Sequence, residues 1–152
     1  MSYRHAYKND FRLLQWVSVM MIGGIVVFAV LIHFYNGNRV AFMHDHPSEK
    51  YFFPALIILC LAGLYVARFI YSRRMGYIHI DSVTVASRMN QYKTTHFLHN
   101  AICEIPAILS IVCFMLFGNY IYLFFVALVL AELISKFPTN NRINDSISLL
   151  KF

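Results

Sequence analysis

Three charged side chains, Arg68, Glu104 and Glu132, stand inside otherwise apolar stretches. A carboxyl group there can pair with an arginine, hold a proton or help bind a cation. An ionised group at the centre of a membrane helix costs about 2.5 to 3.5 kcal/mol on insertion scales, so such groups face a bundle interior and find partners. Glu104 lies in "NAICEIPAIL", two residues before Pro106. Proline lacks an N–H, which leaves the carbonyl of Ile102 without its helical donor and tends to kink the helix. A carbonyl freed beside a carboxylate can coordinate a cation, as at the broken helices of transporters, although a plain kink is tolerated in many membrane helices.

His96 and His99 form H-x-x-H, which puts two imidazoles near one helical face, where they could bind a metal or accept protons. They are weak metal candidates, because a competent site needs a third or fourth ligand. A bis-histidine haem would need histidines at matching depth on facing helices, and His33 belongs to the other end of its span. His44, Asp45 and His46 could chelate a metal at the surface, but beside Pro47 they read as a solvated loop. Cys60, Cys103 and Cys113 all fall inside apolar stretches, which suits neither a disulfide framework nor a zinc spacing. No cofactor and no catalytic constellation is implied.

The elements that must position these residues are membrane helices. The chain has 152 residues, 59% of them hydrophobic and only 13% charged, against roughly 25% charged in a soluble domain. Four apolar segments, approximately 13–34, 52–71, 97–117 and 120–137, each approach the roughly 20 residues that a helix needs to cross the hydrocarbon core. In lipid every backbone N–H and C=O must be satisfied within the protein, and these continuous apolar runs lack the alternation of a barrel strand. The reading is an all-α membrane protein, a single domain of four transmembrane helices in an antiparallel bundle. The first span is too long for a signal-peptide core and is followed by no cleavage site.

The net charge of +6 comes from basic residues beside the spans, and topology explains it without nucleic acid. Of the 13 lysines and arginines, all but Arg39 and Lys50 fall on one side of the four-span arrangement. The positive-inside rule then makes both termini cytoplasmic. Tyr35, Tyr51, Phe52, Tyr71, Tyr77, Tyr120 and Tyr122 near the span ends suit interfacial belts, and Gly23, Gly24, Ala62 and Gly63 allow close helix approach.

The connections differ in kind. "YNGNRVAFMHDHPSEKY" is polar and reads as irregular. "SRRMGYIHIDSVTVASRMNQYKTT" is ambiguous: Ile78, Ile80, Val83 and Val85 alternate like a strand. Val85, Met89, Tyr92, His96, His99 and Cys103 recur instead at helical spacing. The favoured reading is a helix that starts near Asp81 or Ser82 and runs into the third span. "FGNY" leaves room only for a tight hairpin. The tail beyond Pro138 reads as a surface segment in which Ile143, Ile147 and Leu150 could rest on the inner leaflet.

Folding the hairpin about Gly118 and Asn119 places Glu132 opposite Ile105, so both carboxyl groups fall about 20 Å below the outer turn. Arg68 reaches a similar level on the second span. The expected arrangement is an intramembrane polar layer of Arg68, Asn100, Glu104 and Glu132. In one form Glu104 pairs with Arg68, Asn100 adds hydrogen bonds, and Glu132 reaches toward Lys136. In the other, the two carboxyls share a proton or bind a cation, because like charges held close cannot both ionise.

The stretch "YKTTHFLHNAICEIPAILSIVCFMLFGN", followed by a fourth span, Pro138 and a terminal "ISLL", resembles an uncharacterised family of small bacterial four-helix integral membrane proteins. The family pattern is a tyrosine, an apolar helix with a Glu-Gly-Pro-like step and a Thr-Gly-Asn-like turn; here Ile105 and Phe117 replace the glycine and the threonine. The resemblance implies a multi-pass protein of the bacterial inner membrane and carries no activity. A superficial likeness to the carboxylate-bearing helix of rotary ATPase proteolipids fails for want of their glycine-rich partner helix.

The expected function is therefore non-enzymatic: a structural or accessory membrane protein, a homo-oligomer or a small subunit of a larger complex. The alternative is a small proton- or cation-coupled transporter or channel using Glu104. A quinone- or lipid-handling enzyme ranks behind both, since no reactive group is placed to act.

Overall fold

The computed structural model describes residues 3–37, 47–81 and 84–139. Within them the chain forms α1 (Tyr3–Gly37), α2 (Glu49–Asp81), α3 (Val85–Phe117) and α4 (Ile121–Ser135), and no strand. The first three each contain a segment long and apolar enough to cross a membrane. At ~1.5 Å per residue the 15 residues of α4 rise only about 22 Å, short of the ~30 Å hydrocarbon core. The helix stops at Ser135 because Pro138 cannot donate to a further turn and biases the residue before it away from helical backbone. The Lys136 N–H and the Ser135 hydroxyl both close back onto the Glu132 carbonyl.

The ambiguous connection between the second and third apolar segments is helical almost throughout. α2 continues to Asp81, and α3 begins at Val85 rather than at Asp81 or Ser82. Thr84 is the cap: its backbone is extended, and its side-chain oxygen accepts the Ser87 N–H at 3.2 Å, which satisfies one of the first-turn donors that a helix leaves open. At the other end Gly118 adopts φ 71°, a left-handed backbone that a glycine accepts at no steric cost, and donates its N–H to Phe114. Asn119 then starts α4 by accepting the Ile121 N–H at 3.1 Å. Its amide also donates to Glu49 Oε1, as does the Tyr122 hydroxyl, which fastens the hairpin to the first turn of α2. Asn36 does the same for α1 by donating to the Phe114 carbonyl at 2.8 Å.

α3 is the central helix, half buried along its apolar span against 11% for α1 and 17% for α2. It packs on all three others, whereas the α1 and α2 backbones make no close approach to one another among the described residues. Against α2 it sets Cys60 beside Ser110, Gly63 beside Pro106 and Tyr71 beside His99. Against α1 it sets Ser18 beside His96, Met21 beside Asn100 and His33 beside Phe114. The Pro106 ring is accommodated by the missing side chain of Gly63, where an added Cβ would lie 3.5 Å from the ring. α3 continues as helix through this point to Phe117. One apolar cluster joins Ile25, Ala67, Cys103, Ala107, Ile111, Val126, Val129 and Leu133 from all four helices; a second, around Phe114, Phe117, Tyr122 and Phe125, closes the hairpin end. The outward sides of α1 and α2 expose large apolar residues such as Trp16, Met20, Leu31, Ile58, Leu61 and Tyr65, a surface consistent with contact with lipid.

The His44, Asp45 and His46 loop and the tail carrying Ile143, Ile147 and Leu150 lie outside the described residues.

Candidate functional site

The stripe of α3 at helical spacing, Met89, Tyr92, His96, His99 and Cys103, is the buried side of that helix. A 3.6-residue period brings these positions onto one face, and the other three helices close over it. Polar groups carried on the stripe therefore meet in the interior. His99 is fully buried, His96 is 1% exposed and Asn100 is 3% exposed.

Arg68 and Glu132 form the charged pair of this layer. The Arg68 Nε–H donates to Glu132 Oε2 at 2.9 Å, and Nη2–H donates to the same oxygen. The pair is asymmetric: the Glu132 side chain is 2% exposed and that of Arg68 67%. The arginine thus reaches in from the outer side of α2 to neutralise a carboxylate held inside. Among the described residues Glu132 Oε1 has no hydrogen-bond partner; it lies 3.6 Å from His99 Nε2, too far for a hydrogen bond. His99 Nδ1 is 3.3 Å from Asn100 Oδ1, its Nε2 is 3.9 Å from Cys103 Sγ, and the Tyr71 ring meets it edge to face at 5.1 Å. One turn along α3, His96 Nε2 is 3.0 Å from Ser18 Oγ.

Two expected pairings are replaced. Arg68 binds Glu132 and not Glu104, and Glu132 does not reach Lys136 with its carboxylate; the Lys136 ammonium lies over the Tyr71 ring at 5.3 Å. Asn100 turns to His99 and, through its amide, to Met21 at 4.0 Å rather than to Glu104. The cause is azimuth. Cys103 and Ala107 are fully buried, so Glu104 and Ile105, about 100° and 200° further round α3, turn away from the core. Glu104 is half-buried with no ion pair or hydrogen bond among the described residues, and Ala101, Ile105, Ile108 and Leu109 around it are exposed.

His96 and His99 likewise serve different partners instead of converging. Among the described residues no group of three or more histidine, cysteine, aspartate or glutamate side chains is placed to hold a metal. Ser18 and Tyr71 joined the layer without a distinguishing signal in the sequence; Ser18 is one of many small polar residues in apolar helices, and Tyr71 reads equally well as interfacial. Comparison of the chain with protein-family models, with curated proteins and with solved structures returns no match.

Proposed function

We propose that the chain is a non-enzymatic structural or accessory integral membrane protein, a homo-oligomer or a small subunit of a larger membrane complex. In this reading it is a four-span antiparallel bundle in the bacterial inner membrane, with both termini cytoplasmic. The distribution of lysine and arginine supports the orientation, and the likeness carried by residues 92–119 supports the location. The observation that carries the function is Glu104, a carboxyl on the outward, apolar side of α3 with no partner among the described residues. Leaving such a group in hydrocarbon is costly, and a neighbouring chain that supplies a hydrogen-bond donor or a cation removes the cost.

The test is the mass of the particle extracted with native lipid. A particle larger than one chain, reduced to one chain by Glu104→Leu, is expected. The same carboxyl favours a second reading, a proton- or cation-coupled transporter using Glu104. Reconstituted vesicles separate the two: a flux carried by the wild type and abolished by Glu104→Gln favours transport, and a flux indifferent to that change removes it.

A further inference from the structure

We infer that His99 is a proton-binding residue of the bundle interior, one that takes a second proton from the aqueous phase to become an imidazolium held between Asn100 and Glu132. The inference goes beyond the assembly role and does not depend on it.

A neutral imidazole carries one N–H and one bare nitrogen, whereas the imidazolium donates from both. Both ring nitrogens of His99 face acceptors. Nδ1 faces Asn100 Oδ1 at 3.3 Å, in an amide whose Nδ2 is directed to Met21. Nε2 faces Glu132 Oε1 at 3.6 Å. Only the doubly protonated ring serves the two together. With one proton, either the Asn100 oxygen or the carboxylate oxygen is left without a donor in a buried site; at 3.6 Å from Nε2, Glu132 Oε1 has no hydrogen-bond partner among the described residues. Arg68 does not relieve it, because both of its N–H contacts go to Oε2.

His96, one turn away on the same helix, provides an internal contrast. The Ser18 hydroxyl donates to the Leu14 carbonyl at 2.9 Å, so the proton in the Ser18–His96 contact belongs to His96 Nε2. Its Nδ1 is buried with no partner. That surrounding suits a neutral ring with one N–H, since among the described residues no acceptor pairs with its Nδ1.

The groups facing His99 are mixed. α3 contributes His96, Asn100 and Cys103; α4 contributes the Glu132 carboxylate and, farther off, the Lys136 ammonium; α2 contributes Tyr71, with Arg68 behind Glu132. From α1, Ser18 faces His96 and Met21 faces Asn100, and neither is charged. Against the cations Arg68 and Lys136 stand the Glu132 carboxylate and the Asn100 oxygen, the two acceptors that the ring itself faces. Protonation converts the 3.6 Å contact into a charge-assisted hydrogen bond and so tightens α4 on α3.

Histidine-selective 15N labelling of the full chain in lipid nanodiscs reads the ring protons directly, with His96→Gln and His99→Gln assigning the signals. As the pH falls from about 8 to about 5, His99 is expected to gain a second ring N–H while His96 keeps one. In Glu132→Gln, where the carboxylate is gone, the second proton on His99 should be lost. A His99 ring that keeps a single N–H over that whole range, in folded wild-type protein, overturns the inference without recourse to any variant. Persistence of the second proton in Glu132→Gln overturns the assignment of Glu132 as its partner.

Discussion

Glu132 is enclosed while the arginine that neutralises it is largely exposed, so the two residues fail differently when removed. Arg68→Met strands a buried carboxylate and should lower stability in lipid or detergent by about 1–3 kcal/mol, the cost of an unsatisfied buried polar group. Changing both to methionine should cost less than that single change, since the penalty of a broken pair lies mainly in the charge left behind. Reversible unfolding of the two single variants and the double variant measures the coupling, and additive losses would contradict the pairing. Glu104→Gln, by contrast, breaks no pair among the described residues and removes a charge from an apolar surface, so the isolated chain should be at least as stable as the wild type. The sequence made Arg68, Glu104 and Glu132 conspicuous through their charge, and helix rise placed them at similar depths. It left open which side of α3 each carboxyl met, because a depth ruler carries no azimuth. The stripe Tyr92, His96, His99 and Cys103 held that information, and taking it as the buried face would have turned Glu104 outward.

At the scale of the helices, α2 and α3 approach so closely at Gly63 and Pro106 that only a small side chain fits between them. Gly63→Ala places a methyl group in ordinary contact with Pro106 and should be tolerated. Gly63→Leu pushes a branched chain into the ring and should cost about 1–3 kcal/mol, the usual penalty for overpacking, visible as a lower thermal midpoint in detergent. Equal behaviour of the two variants would mean that the approach is looser than the geometry shows. The long helices were legible because apolar periodicity and hydropathy agree across many residues. Their ends were harder: residues 78–85 offered strand-like alternation and helical spacing at once. The helical boundary falls where Thr84 can cap α3, three residues beyond Asp81. At the hairpin, Gly118 and Asn119 were readable from chemistry, since a left-handed residue and a side chain able to start the next helix are what a tight turn between helices needs.

For the molecule as a whole, the decisive feature is the unequal covering of α3. Its inner side is enclosed by three helices, while Ala101, Glu104, Ile105 and Ile108 remain outside them. If a neighbouring chain covers this side, a cysteine introduced by Ile105→Cys should give a cross-linked product in native membranes. One introduced by Ile58→Cys, on the exposed side of α2, should not. Cys60, Cys103 and Cys113 are buried and give little background. The mass of the wild-type particle in native lipid, beside that of Glu104→Leu, decides whether Glu104 is an assembly contact. The expected result is more than one polypeptide for the wild type and a single chain for the variant. A wild-type particle of one chain, with no other protein bound, would contradict it.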